Sequence, residues 1–419
     1  MSHQPFTVDT AFKRDLRRRI EAELTGNILP FWIAHTPDEA NGGFYGALTN
    51  DLQILNDVPR SAVLCARILW TYAAAYRAYG QPELLGMTRR AYAYLRERFW
   101  DSQNGGVYWT IDAHGQPIEP RKYSYAQAFA IYGLAEFYRA TREPGSLRLA
   151  QELFALLDRY AHDSMYGGYV EGCAQDWGAA PDIRLSEKEP DARKSMNTLL
   201  HIMEAYANLL RVWDDDLLQA RLVETITIFL QHVLDPQTHH FKLFFDERWV
   251  AASTADSYGH DIEGSWLLVE AAEVLGDTGL LSRARAAALA MAQATYAEGR
   301  AADGGLVNEG HAGAWTDTDK HWWVQTEALV GFYNAYQLSG AAHFAAAARD
   351  NWALIEAKFV DRQHGDWFKI LNQAGVPDDR HYKVGPWECP YHHSRACFEL
   401  IERLDELAGA SRQYDGKSL

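Results

Sequence analysis

A short, strand-prone segment recurs six times along the chain, at intervals of roughly 60–70 residues. Four copies carry adjacent glycines and two are looser; the six are Gly42–Gly46, Gly105–Trp109, Gly167–Glu171, His239–Asp246, Gly304–Asn308 and His364–Phe368. Self-similarity at a fixed period predicts a repeat architecture, in which one unit cannot bury its apolar face alone. This repeat therefore constrains the fold more than any other feature of the sequence.

The stretches between these segments have apolar residues at i, i+3, i+4 and i+7, which is the helical period. Six of them are apolar nearly all round, as expected of helices covered on two sides; they are Ser61–Tyr79, Ala126–Thr141, Met196–Val212, Ile262–Val274, Val324–Leu338 and Arg395–Leu407. Each faces a more amphipathic helix, such as Glu83–Phe99 or Ser146–Tyr160. Closing six such pairs into a ring buries every apolar face. The sequence therefore predicts an all-α fold, an (α/α)6 barrel with short β-hairpins and loops at one end.

The 419-residue chain has no Pro/Ser-rich linker, so we predict a single domain over residues 1–419, with roughly the last ten residues as a tail. Its formal net charge of −16 argues against a nucleic-acid backbone or an anionic membrane as partner. A small-molecule ligand and a monomer or weak homodimer are expected.

The four cysteines (Cys65, Cys173, Cys389 and Cys397) form no CxxC motif and no regular framework, which favours reduced thiols. The N-terminus has no apolar region typical of a secretory signal. No stretch of about 18 apolar residues suggests a membrane span. A cytoplasmic location is expected from these features.

One predicted inner helix carries a stripe of polar residues. Asn197, His201, Glu204 and Asn208 are spaced four, three and four residues apart, so they lie on one face. Burying them dry and unpaired would cost a few kcal/mol each. A ligand-lined face is one interpretation, and a helix that faces bulk solvent is the other.

Polar or aromatic residues also interrupt the other inner helices. Arg67 lies in an apolar helix, where it is either a ligand contact or a buried ion-pair partner, and Tyr125 is either a ligand contact or core filling. In "SYGHDIEGSW" the glycine suggests a loop, and Asp261 is placed either to cap the helix start or to add negative charge there. His260 and Glu263 are three residues apart, and a carboxylate can orient a histidine ring and raise its basicity.

The last two inner helices contribute two further groups. Trp323 and Glu327 lie one turn apart in "HWWVQTE", and "GPWECPYHHSR" places His392 and His393 just before the last predicted helix. Two imidazoles with pKa values near neutrality suit removal and return of a proton. A metal site is a weaker interpretation because the tight spacing of H-E-x-x-H is absent, and a carboxylate pair for glycoside hydrolysis stays open.

The motifs "KSMNTLLHIMEAYANL", "SYGHDIEGSWLL", "HWWVQTEALVGFYNAYQ" and "GPWECPYHHSRACFE" together resemble the N-acylglucosamine 2-epimerase superfamily, and within it the cellobiose 2-epimerases. The segments "RILWTYAAAYR", "RKYSYAQAFAIYGLAEFYRAT" and "GGYVEG" extend the likeness over nearly the whole chain. The resemblance implies an (α/α)6 barrel that inverts C2 at the reducing end of β-1,4-linked disaccharides, with cellobiose giving glucosyl-mannose and lactose giving epilactose. No metal or nucleotide cofactor is implied.

The resemblance also implies roles for individual residues. His260 and His392 match the two catalytic histidines, one removing the C2 proton to give a cis-enediolate and the other returning a proton to the opposite face. His201 matches a third histidine that assists ring opening or holds the O1/O5 region. Glu263 matches the carboxylate that orients a catalytic histidine.

The substrate-binding positions follow in the same way. Arg67 and Asn197 match groups that bind the carbonyl and C2 oxygens, where developing negative charge needs donors. The remaining matches are sugar-contacting positions, with the tryptophans stacking on the second sugar and the two acidic residues less firmly matched; they are Tyr125, Trp323, Trp387, Glu189 and Glu309.

Three residues depart from the family pattern. Cys65 stands where asparagine is expected and Leu199 where histidine is frequent, and both look peripheral. His393 replaces the usual asparagine, so it either tunes the pKa of His392 or only packs. Relatives with the same histidine pair act on free mannose, glucose or N-acetylglucosamine, so a monosaccharide 2-epimerase or an aldose–ketose isomerase is the alternative. A glycoside hydrolase or sugar-binding barrel is the more distant one.

Overall fold

The computed structural model describes residues 7–185 and 189–405, so the predicted tail and the end of the last predicted helix lie outside it. Within these ranges it has thirteen α-helices: α1 Thr10–Glu23, α2 Leu29–His35, α3 Ala62–Tyr79, α4 Pro82–Tyr94, α5 Ser124–Thr141, α6 Pro144–Tyr160, α7 Met196–Leu210, α8 Asp216–Ile228, α9 Tyr258–Leu275, α10 Thr278–Glu298, α11 Trp322–Ser339, α12 Ala342–Leu354 and α13 Tyr391–Asp405. Short π-helical turns follow α1, α4, α8 and α12.

The helices form two concentric rings. Helices α3, α5, α7, α9, α11 and α13 each pack against the next, and α13 packs against α3, which closes the inner ring. The outer partners are α4 on α3, α6 on α5, α8 on α7, α10 on α9, α12 on α11 and α1 on α13. The inner helices are buried nearly all round; in α3 every residue from Ala62 to Ala75 is buried. The predicted (α/α)6 barrel is confirmed.

The six recurring segments fold as the same tight turn. Each turn is closed by one antiparallel bridge, and the bridges are Pro37–Phe44, Trp100–Val107, His162–Tyr169, Leu234–Phe241, Arg300–Leu306 and Val360–Trp367. Positive φ angles at Gly105 and Gly106, 72° and 76°, show why glycine suits this turn. The sequence repeat is therefore a structural repeat.

Short antiparallel strands connect the turns to the inner helices. The described part has twelve: β1 Arg60–Ser61, β2 Thr110–Ile111, β3 Pro117–Glu119, β4 Lys122–Tyr123, β5 Gly172–Cys173, β6 Lys194–Ser195, β7 Phe244–Phe245, β8 Asp256–Ser257, β9 Glu309–His311, β10 Ala314–Asp317, β11 Lys320–His321 and β12 Ile370–Leu371. They form two three-stranded sheets, β1-β2-β3 and β8-β9-β10, and three two-stranded sheets, β4-β5, β6-β7 and β11-β12. Since β1, β4, β6, β8 and β11 each lead directly into an inner helix, the sheets fix where those helices begin.

Two inner helices begin four residues earlier than the apolar pattern predicted. Helix α9 starts at Tyr258 rather than Ile262, and α13 starts at Tyr391 rather than Arg395. The first turn of each is polar, so hydrophobic periodicity does not detect it. His260 and His392 consequently lie on helical first turns, and the predicted loop around His260 is wrong.

All four cysteines are free and buried, as expected of reduced thiols. In the part of the chain that the structure describes, none of the helices combines the length and the apolar character needed to cross a bilayer.

Candidate active site

Most of the predicted site residues gather where the inner helices begin. Arg67 on α3 donates a hydrogen bond to the hydroxyl of Tyr125 on α5 at 2.8 Å, and the ring of Tyr125 lies 5.1 Å from that of His201 on α7. Trp323 on α11 packs against His260 on α9 and against His392 on α13, with ring centroids 4.8 and 5.7 Å apart. All six inner helices therefore contribute to one site.

Three histidines of this site are held in the same way. His201, His260 and His392 each engage Nδ1 in a hydrogen bond, to Glu204 Oε2 at 3.0 Å, to Ser257 Oγ at 2.8 Å and to Glu327 Oε1 at 2.7 Å respectively. Within residues 7–185 and 189–405, none of their Nε2 atoms has a hydrogen-bond partner. An imidazole fixed at one nitrogen presents the other to a ligand in a defined direction.

The carboxylate that holds His392 belongs to Glu327, a residue that sequence reasoning had not assigned to the site. Glu327 is fully buried and also accepts hydrogen bonds from Arg395 Nη2 at 2.6 Å and Trp266 Nε1 at 3.1 Å. Burial, together with the positive charges of Arg67 and Arg395, lowers the pKa of His392 well below its ordinary value. The ring is therefore neutral, with its Nδ1 proton directed at Glu327.

Glu263 has a different position from the one predicted. Among the described residues it makes no hydrogen bond to His260; it accepts one from Arg395 Nη2 at 2.7 Å and lies 3.9 Å from His392 Nδ1. The expectation that the 260–263 spacing pairs these two residues is wrong because Arg395 binds the Glu263 carboxylate and Ser257 binds His260 Nδ1. Burial and the neighbouring Glu327 carboxylate raise the pKa of Glu263 to about 7.

Arg395 links the carboxylates beneath the histidines. Its guanidinium donates to Glu204, Glu263 and Glu327, and Tyr391 donates a further hydrogen bond to Glu204. Burial alone would raise the pKa of Glu204, but Arg395 and His201 lower it to about 2. A buried arginine on the last predicted inner helix was the sequence signal for this network.

None of the carboxylates in residues 7–185 and 189–405 bonds to His260. Its Nδ1 faces the hydroxyl of Ser257, which can either donate or accept. Burial and the nearby His201 lower the pKa of His260 to about 3, so this ring is neutral too. Asp261 does not cap α9, but it places a carboxylate in the first turn of that helix, as the second alternative predicted. It is fully buried and accepts a hydrogen bond from the Phe241 amide at 2.7 Å.

Arg67 is a buried cation without a carboxylate. None of the described acidic residues lies within ion-pair distance of its guanidinium, so the predicted alternative of a buried ion pair is wrong. Its polar contacts are Tyr125 Oη and Cys389 Sγ, at 2.8 and 3.5 Å, and it lies 4.2 Å from the ring centroid of Phe129. An unpaired guanidinium in a dry cleft is suited to bind developing negative charge.

The polar stripe of α7 serves two purposes. His201, Glu204 and Asn208 are all buried, so the alternative of a helix facing bulk solvent is wrong. Asn197 is partly exposed and its Oδ1 has no hydrogen-bond partner, which leaves an acceptor for a ligand. Asn208 instead donates to the Tyr132 carbonyl at 3.2 Å, far along the helix, and is structural.

Aromatic side chains form the walls of the site. Trp323 and Trp387 are both partly exposed, but they occupy different places. Trp323 packs on the two histidines, whereas Trp387 packs on Tyr125 and Trp109, with centroids 5.6 and 5.9 Å apart. Trp109 was not predicted as a site residue, although it lies in one of the recurring segments.

The two predicted acidic residues lie in connecting segments. Glu189 is partly buried and accepts a hydrogen bond from the Leu185 amide at 3.1 Å. Glu309 lies on β9 opposite Ser257, and burial together with Asp317 raises its pKa. Within the described ranges, Glu309 makes no hydrogen bond to the three histidines.

His393, next in sequence to His392, points elsewhere. It is fully buried, its Nε2 lies 2.9 Å from Asp366 Oδ1, and its ring packs on Trp367. Asp366 and Trp367 belong to the last of the six turns. His393 is therefore a structural neighbour that ties α13 to that turn. Cys65 and Leu199, the other two departures, are buried in the core.

One group of buried side chains has the composition of a metal site. Glu263, Glu327 and His392 offer ligand atoms within 4.8 Å of one another. However, Arg395 donates to both carboxylates and Glu327 accepts from His392, so these oxygens are already bound by protein donors. The guanidinium of Arg395 already binds the carboxylate oxygens that a metal ion would need, so this set of donors does not fit a metal ion.

The comparisons with known proteins agree with this geometry. The family model of N-acylglucosamine 2-epimerase (GlcNAc 2-epimerase) matches residues 43–396. The cellobiose 2-epimerase of Bacteroides fragilis is 43% identical over 391 residues, which cover 92% of this chain and 98% of the relative. The N-acylglucosamine 2-epimerase of Bos taurus is 24% identical over 418 residues, which cover 95% and 94%.

A solved structure gives the same result. The cellobiose 2-epimerase from Bacillus thermoamylovorans B4167 superposes with a TM-score of 0.88 at 36% identity, over 93% of this chain and 100% of that chain. The chain therefore belongs to the N-acylglucosamine 2-epimerase family.

Proposed function

We propose that this protein is a cofactor-independent epimerase that inverts C2 at the reducing-end glucose of β-1,4-linked disaccharides, converting cellobiose to glucosyl-mannose and lactose to epilactose. The observation that carries the proposal is the pair of neutral imidazoles, His260 and His392, that pack on the same Trp323 ring with Nε2 free. Two such groups reached from different helices can address opposite faces of one carbon atom. The relatives named cellobiose 2-epimerase support the disaccharide.

The reaction begins with the ring-opened sugar. One imidazole takes the proton from C2 while the electrons of the C2–H bond form the C1–C2 double bond and place negative charge on O1. Arg67, which has no carboxylate to neutralise it, stabilises this cis-enediolate together with the Tyr125 hydroxyl. His201, held by Glu204, is placed to assist ring opening.

After rotation about C2–C3, the other histidine, which has taken up a proton at Nε2 from solvent or from its hydrogen-bonded network, returns that proton to C2 from the opposite face. The electrons on O1 re-form the aldehyde, and the first histidine then releases the proton that it removed. The proton supply differs between the two sides. His392 belongs to a network with Glu327 and Glu263, whose pKa of about 7 lets the network hold a proton at neutral pH. His260 has only Ser257. Reversing the reaction exchanges the two roles.

A monosaccharide epimerase or aldose–ketose isomerase is the second candidate because the same two imidazoles would serve it. Trp387, set apart from the histidines on the Tyr125 side, favours a longer sugar. A glycoside hydrolase is disfavoured because Glu263 and Glu327 are buried and engaged by Arg395, so neither reaches a glycosidic oxygen. We also propose a cytoplasmic location, consistent with four free cysteines.

The deciding experiment incubates the protein with cellobiose, lactose, mannose and N-acetylglucosamine in parallel and resolves the products. Glucosyl-mannose from cellobiose, with solvent deuterium at C2 when the reaction runs in D2O, is the expected result. Turnover of mannose alone would establish the monosaccharide candidate. Release of free glucose from cellobiose, or epimer without label at C2, would contradict the proposed reaction.

A further inference from the structure

The fourth repeat, which carries His260, departs from the pattern of its neighbours. In four other repeats the strand before the inner helix begins with a buried cation that is paired to an aspartate on the turn. The pairs are Arg60 with Asp38, Lys122 with Asp101, Lys194 with Asp163 and Lys320 with Asp303, at 2.5 to 3.2 Å. In the fourth repeat this position is Asp256. The turn aspartate of this repeat, Asp235, pairs instead with Lys242 at 3.3 Å, and a further cation, His240, lies on the turn itself.

The fourth repeat also differs in the inner-helix side chain that binds the turn. In the second and fifth repeats a neutral amide on the inner helix ties down the turn: Gln127 accepts from the Val107 amide and donates to its carbonyl, both at 2.8 Å, and Gln325 does the same with Leu306 at 2.9 Å. In α9 the corresponding tether is Asp261. A carboxylate accepts from the Phe241 amide but cannot donate to a carbonyl.

His240 binds the second oxygen of the Asp261 carboxylate. Its Nδ1 lies 2.7 Å from Asp261 Oδ2, and its Nε2 lies 3.3 Å from Glu298 Oε2 on α10. With acidic acceptors on both nitrogens, the ring is an imidazolium and donates twice. Burial opposes this charge, but Asp261, Asp256 and Glu298 raise the pKa of His240 to about 9.

This ion pair lies directly against the helical turn that presents His260. Asp261 is the next residue after His260, and the ring of Phe241 packs at Gly264, where a Cβ atom would overlap it. The connecting turn that ends at Phe241 therefore packs on the first two helical turns of α9. The position of the first turn of α9 therefore depends on the Asp261–His240 pair.

We propose that His240 is a positioning residue of the epimerase, holding Asp261 so that α9 presents His260 Nε2 to the sugar and cancelling a carboxylate charge beside it. This inference rests on the proposed function. Without the imidazolium, the buried Asp261 carboxylate, whose pKa burial already raises, loses its counter-charge; where it stays ionised it favours a proton on the neighbouring His260, which must be neutral to accept one from C2.

Around the rings of His240 and His260 the other titratable groups are acidic or are histidine, so His240 is the cation that compensates the charge of Asp261. The groups facing His240 are Asp256, Asp261 and Glu298, with the Tyr258 ring 5.8 Å away. The titratable group that bears on His260 from a neighbouring helix is His201, and Glu309 lies on the strand opposite Ser257. Neither changes when His240 is replaced, so a response at His260 reports on the ion pair.

The test replaces His240 by glutamine in the full-length enzyme and follows His260 by NMR titration of its ring nitrogens. We expect the pKa of His260 to rise by about one unit or more, because the charge on Asp261 is no longer compensated. We expect kcat on cellobiose to fall about tenfold with KM within about threefold, as for a misplaced acid–base group. The double variant H240Q/D261N should return the pKa of His260 to within about half a unit of the wild-type value.

The matched control is Lys122→Gln, which removes the buried cation of the second repeat. It should reduce stability and leave the His260 titration unchanged. If H240Q does not fold, His240→Lys keeps the charge, as in the other repeats, and should keep the wild-type pKa of His260; a raised pKa in H240K would overturn the inference. So would a folded H240Q with an unchanged titration and kcat. A wild-type protein inactive on every sugar would contradict the proposed function alone, since the titration needs no substrate.

Discussion

The first turns of α9 and α13 present the same side chain, a neutral imidazole with free Nε2, but support it in opposite ways. His392 is backed by Glu327, and through Arg395 by two further carboxylates. His260 is backed by the hydroxyl of Ser257 alone. The carboxylates at α13 give His392 charged acceptors through which protons can exchange, although Arg67 and Arg395 lower its pKa, whereas the site at α9 offers a hydroxyl that donates or accepts. Equivalent places in a repeat fold can therefore give the same side chain different hydrogen-bond partners.

The largest expected effect comes from removing either ring. His260→Ala and His392→Ala should each lower kcat/KM on cellobiose by at least about 10³-fold, because each direction of the reaction needs both groups. Initial rates in both directions, with circular dichroism to establish folding, measure this. Epimerisation retained by either folded variant would exclude the two-histidine mechanism.

Replacing Glu327 and Ser257, the hydrogen-bond partners of His392 and His260, tests the difference between the two sites directly. Glu327→Gln removes a charged acceptor from His392 and should lower kcat by roughly 10²–10⁴-fold. Ser257→Ala removes a neutral hydrogen bond from His260 and should lower kcat about tenfold, which corresponds to about 1.4 kcal/mol. Both are read from kcat with KM held near wild type. Equal losses of kcat in the two variants would mean that Glu327 and Ser257 contribute equally to the function of their histidines.

A smaller effect is expected from the contact between Trp323 and α9. Gly259 lies against this ring, and a Cβ atom there would be 2.5 Å from Cη2 of Trp323. Gly259→Ala should therefore displace Trp323 from both histidines, lowering stability by about 1–3 kcal/mol and kcat/KM about tenfold.

The matched control for this substitution is Gly86→Ala on α4, where a Cβ atom meets nothing within 4 Å. It should raise stability by about 0.5–1 kcal/mol and leave the rate unchanged. Thermal unfolding and initial rates measured on both variants separate the two outcomes. Wild-type kinetics in G259A would show that the position of Trp323 does not matter.

His393 allows a comparison with His392 at adjacent positions. His393→Asn removes a buried hydrogen bond to Asp366 and should cost about 1.5–3 kcal/mol of stability, with kcat within about threefold of wild type. Urea unfolding and initial rates measure the two quantities. A loss of activity comparable to that of H392A would show that His393 takes part in the reaction.

The smallest change is expected from acidification. Because burial lowers the pKa of His260 to about 3 and that of His392 below its ordinary value, both bases stay deprotonated as the pH falls from 8 to 6. Activity is lost only when the pH falls through these lowered values. The profile of kcat/KM should therefore show no acidic decline between pH 8 and 6, and any decline in this range should be alkaline, as Glu263 loses the proton of the network above its pKa of about 7. A steep decline between pH 7 and 6 would mean that an imidazole titrates at its ordinary pKa.

Much of the site could be predicted from side chains that break a pattern. The histidines, Arg67 and the α7 stripe were visible because polar groups interrupt helices that are otherwise apolar. Glu309 and Glu189 rested on family likeness, and their roles stay predictions. The pairing of His260 with Glu263 failed because helical spacing predicts only a shared face, whereas each of these two side chains on α9 is bound by a different neighbour, Ser257 for His260 and Arg395 for Glu263.

By itself the sequence determined the ring of helix pairs, because a repeat of glycine turns and twice-covered helices has few other ways to bury its apolar faces. It also identified the histidines. Only the tertiary structure decided which carboxylate serves which ring: Glu327 and His392 are 65 residues apart, and Arg395 joins three helices. Such pairings depend on the crossing of elements distant in sequence, and a buried charge is stabilised by whichever opposite charge the packing brings within a few ångströms.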